Sequence, residues 1–189
     1  MKLERVLPYS KKLLTLALSQ GDIAIDATVG NGHDTLFLAR LVGDSGHVYG
    51  FDIQKEALTN TSTLLQKEDV TNVTLIHDSH ANVSQHLEAS LHHKIKAAIF
   101  NLGYLPGGDK TITTTPDSTV NAINRLLKIM PSEGLIILVV YHGHPEGAVE
   151  RDALLEYVST IEQKQANVLQ YRFLNQVNAP PFIIAIEKK

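Results

Sequence analysis

A short glycine turn between two strands that each end in aspartate constrains the fold of this chain more than any other feature. An apolar strand pattern at 22–26 ends at Asp26, and Gly30-Asn31-Gly32 follows in a tight loop. Helical apolar spacing then covers 33–41, and the next strand pattern ends at Asp52, 20 residues after the last glycine. Such a loop lets the backbone approach a ligand, and an acid after the second strand can accept both hydroxyl hydrogens of a ribose. The pattern predicts a nucleotide-type cofactor site.

Strand and helix patterns alternate along the rest of the chain. Strands are expected at 23–26, 47–52, 73–77, 96–101, 135–141, 168–176 and 182–187. Helices are expected at 9–18, 33–42, 55–67, 81–91, 117–130 and 147–164. Repeated strand–helix units predict a parallel sheet with right-handed crossovers, and the short turn at 178–181 predicts a final antiparallel hairpin. We therefore expect an α/β, Rossmann-like fold: a seven-stranded, mostly parallel sheet with a C-terminal antiparallel hairpin and helices on both faces.

Length and composition narrow the class of protein. A chain of 189 residues without repeats or composition shifts predicts one domain over 1–189. The sequence has no apolar run of 18 residues and no apolar stretch near its N-terminus, so neither a membrane span nor a signal peptide is expected. Cysteine is absent, which excludes disulfides and cysteine nucleophiles. We expect a cytoplasmic protein, and a net charge of −3 means that a polyanion would need a local basic patch.

The residues at the strand ends bear on which cofactor is bound. A dinucleotide site has a third glycine where this chain has Thr35. Asp26 would repel a pyrophosphate, but it suits a ligand that carries an ammonium and a sulfonium. Asp78 follows the third strand and could accept a hydrogen bond from an adenine amino group. Together these residues favour S-adenosylmethionine, and a nicotinamide-dependent oxidoreductase is the alternative.

In an open α/β sheet the ligand binds beyond the carboxyl ends of the strands, so residues just after the strands are candidates for the site. His33, next to the glycine loop, is expected to orient that loop rather than to contact a substrate. The predicted cofactor-binding residues are Asp26, Thr28, Gly30, Asn31, Gly32, Asp34, Thr35, Asp52, Ile53, Asp78, Ser79, His80 and Asn101.

The first motif resembles that of class I S-adenosylmethionine-dependent methyltransferases, acid-x-Gly-x-Gly-x-Gly, with Thr28 in place of the first glycine. Longer stretches are similar to the YtqB/MnmM type of that class, bacterial proteins labelled rRNA methylases. These stretches are DATVGNGHDT at 26–35, NLGYLPGGDK at 101–110, TTPDST at 114–119 and YHGHPEG at 141–147. The resemblance covers nearly the whole chain. It implies a tRNA methyltransferase that acts on the 5-aminomethyl group of wobble 2-thiouridine.

The resemblance also implies roles for individual residues. Asp26 and the loop backbone would contact the methionine part of the cofactor, Asp52 the ribose and Asp78 the adenine. Amino-directed methyltransferases often have Asn/Asp-Pro-Pro-Tyr after the fourth strand, where an amide oxygen holds the target nitrogen and the ring stacks on its base. Asn101 and Tyr104 fit those roles, although both prolines are replaced.

The segment 141–146 follows the fifth strand and adds two imidazoles and a carboxylate to the same edge. Either imidazole could accept the proton that the acceptor amine releases. The predicted catalytic residues are Asn101, Tyr104, His142 and His144. The His-x-His spacing would also suit a metal with Asp109 or Glu146 as a further ligand, but no metal is expected.

The acceptor surface is expected to surround this edge. The resemblance implies tRNA as the partner, and single-stranded RNA loops are bound through stacking and phosphate contacts. The N-terminal helical segment 1–20 would contribute to this side, and a homodimer would widen the basic surface. The predicted substrate-binding residues are Arg5, Lys11, Tyr104, Pro106, Gly107, Asp109, Lys110, Tyr141, His142 and Glu146, with Lys12 and Arg125 as further phosphate contacts. The alternatives are rRNA or a small amine as acceptor, and a non-catalytic module that only binds the cofactor.

Overall fold

The computed structural model of the chain describes residues 2–103 and 113–189. The strands are β1 Ile23–Asp26, β2 His47–Asp52, β3 Val73–His77, β4 Ile95–Leu102, β5 Leu135–Val140, β6 Ala166–Tyr171 and β7 Phe182–Lys188. The α-helices are α1 Val6–Ala17, α2 His33–Val42, α3 Lys55–Lys67, α4 Pro116–Ile129 and α5 Pro145–Ser159. Within the described ranges no helix has both the length and the apolar character needed to span a bilayer.

The strands form one seven-stranded sheet in the order β3-β2-β1-β4-β5-β7-β6. The first five strands are parallel, while β7 runs antiparallel to both β5 and β6. The predicted fold class is therefore confirmed. The strand order reverses between β1 and β4, so the carboxyl ends of these two strands border the crevice in which ligands bind in open α/β sheets.

The sheet is covered on both faces, and β5 shows why its sequence is apolar throughout. Ile136, Leu138 and Val140 pack on one face with side chains of α4 and α5, whereas Ile137 and Val139 pack on the other with α1 and α2. Successive side chains of a strand point to opposite faces, so a strand buried on both sides needs an unbroken apolar run.

The predicted helix at 81–91 is wrong. Two short 3₁₀ helices, His80–Gln85 and Ala89–Lys94, replace it. The Asp78 carboxylate accepts hydrogen bonds from Asn82 Nδ2 at 3.0 Å and from His86 Nε2 at 2.8 Å. The Ser79 hydroxyl accepts one from the backbone N–H of Ala81. Such local side-chain bonds compete with α-helix formation, and 3₁₀ turns are frequent as connectors.

The C-terminal hairpin is present, but its loop is longer than the predicted turn. Strand β6 ends at Tyr171, and residues 172–181 connect it to β7. The ring of Tyr171 stacks on Tyr9 with centroids 4.1 Å apart, and its hydroxyl donates to the carbonyl of Glu4. Later in the loop Asn178 and Ala179 have positive φ angles, which a strand does not accommodate.

Candidate active site

A cavity of about 830 Å³ opens at the carboxyl ends of β1, β2, β4 and β5. Its volume lies within the range of roughly 300–1,000 Å³ that is usual for small-molecule and cofactor sites. It lies where the strand order reverses, as the rule for open sheets requires. The predicted residues that line it are Lys11, Thr28, Gly30, Asn31, Asp34, Asp52, Ile53, Asp78, Ser79, His80, Asn101, Tyr141, His142 and His144.

Asp26 lies behind the cavity wall rather than on it. Its carboxylate is fully buried and accepts hydrogen bonds from Thr35 Oγ1 at 2.6 Å and from the backbone N–H of Thr28 at 3.2 Å. Burial, followed by the charge of Asp34, raises the pKa of Asp26 to about 7. This placement makes Asp26 a brace for the glycine loop, in contrast to the direct cofactor contact predicted for it.

The conformation of the glycine loop depends on contact with a residue of α3. Gly32 has a φ of +80°, and a Cβ added there would lie 2.6 Å from Thr61 Oγ1. Thr61 is fully buried on α3, and its hydroxyl donates to the carbonyl of Gly30 at 3.1 Å. The loop therefore needs glycine both for its conformation and for the close approach of α3. Sequence reasoning missed Thr61, since no local signal separates it from other helical threonines.

Asp52 at the end of β2 holds the loop from the other side. Its Oδ2 accepts from the backbone N–H of Gly30 and its Oδ1 from that of Gln54, both at 2.9 Å. Each carboxylate oxygen has a further lone pair. Asp52 can thus accept hydroxyl hydrogens from a ribose while it keeps both backbone bonds. Ile53, which is 52% exposed, supplies an apolar surface next to it.

Asp78 and His80 follow β3 and close the far end of the cavity. Hydrogen bonds from His86 and Asn82 hold the pKa of Asp78 below its ordinary value, so this carboxylate is ionised. His80 Nδ1 lies 2.9 Å from the carbonyl of Ala27 and donates to it. Burial lowers the pKa of His80, which favours the neutral ring. His80 therefore tethers the residue after β1 and presents an uncharged wall.

Asn101 near the end of β4 joins the glycine loop to the acceptor side of the cavity. Its backbone N–H donates to Thr28 Oγ1, and its side-chain Nδ2 donates to Asp34 Oδ2, both at 2.7 Å. The amide nitrogen is thus engaged, which leaves the amide oxygen to accept a hydrogen bond. Thr28, the departure from the glycine of the family motif, supplies the hydroxyl that ties this loop to β4.

His142 follows β5, the strand next to β4, and also lines the cavity. It is 6% exposed, its ring packs 5.4 Å from that of Phe182, and neither ring nitrogen has a hydrogen-bond partner among the described residues. Burial, and then the charges of Arg151 and Arg172, lower the pKa of His142. A neutral imidazole with an uncommitted nitrogen can accept a proton.

Other predicted residues are placed differently. Asp26, Gly32, Thr35, Arg5 and Glu146 are not among the residues that line the cavity. The predictions for Tyr104, Pro106, Gly107, Asp109 and Lys110 lie outside the described residues. Lys12 pairs with Glu4, and Arg125 donates to Ser84, so neither faces the cavity. Across 2–103 and 113–189, no group of three or more His, Asp or Glu side chains could hold a metal ion.

Several cavity residues were not selected from the sequence. Leu7 and Ser10 reach the cavity from α1, and a helical apolar stripe alone does not show which of its edges borders a site. Three residues before α4, Thr113 to Thr115, also line it. Two of these belong to the stretch at 114–119 on which the resemblance rests, which was the available signal.

Comparison with known proteins gives the family. A family model described as “putative rRNA methylase” matches residues 48–187, well over half of the chain. The chain belongs to this family. An Arabidopsis thaliana protein named tRNA (mnm(5)s(2)U34)-methyltransferase, chloroplastic, is 35% identical over 181 residues, which is 91% of this chain. The chain spans 65% of the length of that plant relative.

Solved structures of similar proteins agree with the family. A “putative rRNA-methylase” from Clostridium thermocellum has a TM-score of 0.96 and 38% identity, with 100% of both chains covered. A “putative methyltransferase” from Streptococcus mutans, in complex with SAH, has a TM-score of 0.89 and 39% identity, with 99% of both chains covered. The predicted family and fold are confirmed. Methyl transfer and S-adenosylmethionine as cofactor are confirmed at the level of the family. The oxidoreductase alternative is thereby removed.

Proposed function

We propose that this chain transfers a methyl group from S-adenosylmethionine to the 5-aminomethyl nitrogen of wobble 2-thiouridine in tRNA. The observation that carries the proposal is the hydrogen-bonded pair of Asn101 and Asp34 on the wall of the cavity, beside the residues suited to the cofactor. The name of the plant relative supports this acceptor, and the family description supports an RNA substrate.

The residues present fit the cofactor. Gly30, Asn31, Asp52, Ile53 and Asp78 all line the cavity. We assign the Asp52 carboxylate to the ribose hydroxyls and Ile53 and Asp78 to the base. S-adenosylmethionine, when bound, supplies a methyl group on a positively charged sulfur, which is an activated donor. The main task left to the protein is therefore alignment of the acceptor, which can contribute roughly 7–11 kcal/mol to lowering a barrier.

The Asn101–Asp34 pair suits an amine. A lysine-like amine has a pKa near ~10.4, so at neutral pH on the order of one molecule in a thousand is uncharged. The Asp34 carboxylate attracts the ammonium form into the cavity, and the Asn101 amide oxygen can accept a hydrogen bond from the nitrogen. His142 lines the cavity and stays the predicted acceptor of the proton that the amine releases, and its lowered pKa makes it a weaker base than an ordinary imidazole.

Cationic and aromatic groups around the cavity suit an RNA loop. Lys11 lines the cavity, with its ammonium 5.0 Å above the ring of Phe37. Arg151 and Arg172 lie near His142, and sequence reasoning did not select either of them. Burial and the charge of Asp34 raise the pKa of Tyr141, so its ring stays uncharged and can stack on a base.

Substitution of Asn101 by alanine tests the proposal. With undermodified tRNA, Asn101→Ala should lower turnover at least a hundredfold, because the oxygen that orients the nitrogen is lost. Affinity for S-adenosylmethionine, measured by calorimetry, should stay within a few-fold of wild type. Asn167→Ala is the matched control, because Asn167 is exposed on β6 and bonds to Glu187. A wild-type rate in Asn101→Ala would contradict this role, and faster methylation of rRNA or a small amine by wild type would replace the proposed acceptor.

A further inference from the structure

A buried carboxylate outside the proposed chemistry lies beneath the acceptor side of the cavity. Glu150 on α5 is 2% exposed. Its Oε2 accepts a hydrogen bond from Thr114 Oγ1 at 2.6 Å, and its Oε1 accepts one from Thr119 Oγ1 at 2.8 Å. A carboxylate with so little water access depends on these donors, because an unpaired buried acceptor is costly. Glu150 therefore holds two threonines on either side of the start of α4.

Thr114 extends this contact to the end of β4. Its hydroxyl oxygen accepts from the backbone N–H of Gly103 at 3.0 Å, and its own backbone N–H donates to the Gly103 carbonyl at 3.1 Å. A hydroxyl has only one hydrogen, and Glu150 accepts it. Because the Thr114 hydroxyl hydrogen points to Glu150, a lone pair of the hydroxyl oxygen is free to accept from the Gly103 N–H. The chain Glu150–Thr114–Gly103 thus ends two residues after Asn101.

Gly103 needs such external support. Its φ of +144° is a conformation that other residues rarely adopt, and a Cβ added there would meet no atom closer than 3.9 Å. Conformation rather than space therefore requires glycine at this position. Glycine populates many backbone conformations, so a fixed one must be held by neighbours. Gly103 and Thr114 both line the cavity, so their backbone shapes its acceptor wall.

We propose that Glu150 is a positioning residue that acts through Thr114 to fix the backbone of Gly103 and, with it, the wall beside Asn101. Its effect on turnover rests on the proposed function, whereas its effect on Gly103 does not. Glu150 is not among the described residues that line the cavity. Replacement of Glu150 would leave the buried hydroxyl of Thr119 and the half-buried hydroxyl of Thr114 without their acceptor and endanger folding, so the threonines are the better sites for a test.

Thr114→Val and Thr119→Val form a matched pair. Each replaces a hydroxyl by a methyl group of similar size and removes one hydrogen bond to Glu150, but only Thr114 also contacts Gly103. In Thr114→Val we expect amide exchange at Gly103 to accelerate at least tenfold and kcat for tRNA methylation to fall at least tenfold. Affinity for S-adenosylmethionine should be unchanged. Thr119→Val should leave amide exchange at Gly103 and kcat within about twofold of the wild-type values. Thr114→Ser should restore both quantities toward wild type.

Two outcomes would overturn the inference. The first is equal loss of turnover in both valine variants, which would mean that Glu150 only stabilises the fold. The second is unchanged exchange at Gly103 in Thr114→Val. A third outcome separates the two proposals: if wild type does not methylate tRNA while Gly103 exchange responds to Thr114→Val alone, the proposed function fails and the positioning of Gly103 through the Thr114 hydroxyl, which Glu150 holds, stands.

Discussion

Two carboxylates that flank the glycine loop, Asp26 at the end of β1 and Asp34 in the first turn of α2, lie in different surroundings. Asp26 is fully buried and has a pKa raised to about 7, so at neutral pH it is divided between its two forms. Asp34 lines the cavity and accepts from the Asn101 amide. Its charge contributes to raising the pKa of both Asp26 and Tyr141. At the scale of single residues, burial thus distinguishes Asp26, which supports the loop from inside, from Asp34, which lines the cavity.

The first prediction concerns Asp26 and pH. Its carboxyl group has an ordinary pKa of 3.8 and a folded-state pKa of about 7, so between these values the folded chain binds more protons than the unfolded chain. The free energy of unfolding should therefore fall as pH rises through this window, by on the order of ~4 kcal/mol from this group. Asp26→Asn should flatten that fall, as measured by urea denaturation from pH 4 to pH 8.

Asp44→Asn is the control for this experiment, because Asp44 is exposed. It should keep the wild-type slope of stability against pH. Parallel curves for wild type and Asp26→Asn would contradict the assignment.

The second prediction concerns Asp52. Asp52→Ala removes the acceptor proposed for the ribose hydroxyls and the observed acceptor of the Gly30 N–H. Affinity for S-adenosylmethionine should fall at least tenfold, about 1.4 kcal/mol or more, in a calorimetric titration. Asp52→Asn keeps one acceptor oxygen and should give an intermediate loss. Unchanged affinity in Asp52→Ala would overturn the ribose assignment.

At the scale of elements, the β1–α2 connection is packed against α3. Thr61 of α3 bonds the carbonyl of Gly30 and lies where a side chain on Gly32 would project. The close approach of the two elements fixes the backbone that faces the ligand. A side chain at position 32 should therefore lower stability in two ways, through its overlap with Thr61 of α3 and through the strain of its own backbone.

The third prediction follows from that packing. Gly32→Ala should lower the free energy of unfolding by roughly 2–4 kcal/mol, from the positive φ and the overlap with Thr61. Thr61→Ala removes the nearest overlapping atoms, so the double variant should lose less than the sum of the two single losses. Urea denaturation of all four proteins measures this coupling. Strict additivity would show that the overlap does not contribute.

At the scale of the whole molecule, the net charge of −3 coexists with cations near the cavity. Lys11 lines it, and Arg151 and Arg172 lie near His142. Arg151 is paired with Asp152, whereas Arg172 is exposed, 5.8 Å above the ring of Phe182. A local basic rim rather than overall charge is the feature available to attract RNA. The predicted homodimer and single domain stay predictions, and sedimentation equilibrium measures the first of them.

The fourth prediction concerns this rim. The logarithm of the affinity for an anticodon stem-loop should fall linearly with the logarithm of the salt concentration. Arg172→Gln should make this slope shallower by roughly 0.7–0.9, the value for one lost phosphate contact. Fluorescence anisotropy between about 50 and 200 mM salt measures both values. Arg40→Gln is the control, because Arg40 pairs with Glu68 near the end of α2, away from the cavity. Equal slopes for wild type and Arg172→Gln would exclude Arg172 as a phosphate contact.

Much of the fold could be predicted because its signals are local. The bounds of β1, α2 and α3 agree with prediction. The apolar pattern of β1 ends at Asp26, and that of α2 ends before Gly43. The start of α4 was evident from Thr115-Pro116-Asp117, where the Thr115 hydroxyl accepts from the Ser118 N–H. The helix predicted at 81–91 was wrong because polar side chains there form hydrogen bonds to Asp78 and to each other. Helical propensity does not take such bonds into account.

The sequence by itself determined which residues end the strands and hence which edge of the sheet carries the site. It did not determine which acidic side chains near this edge line the cavity: Asp26 is buried behind the wall, whereas Asp34 in α2 lines it. Only the tertiary structure brought Asn101 to Asp34, Gly32 to Thr61 and Glu150 to Thr114, pairs that lie 67, 29 and 36 positions apart in the chain. The reason is physical: strand and helix ends follow from short-range backbone preferences, whereas the partner of a buried polar group depends on which elements become neighbours when the whole sheet packs.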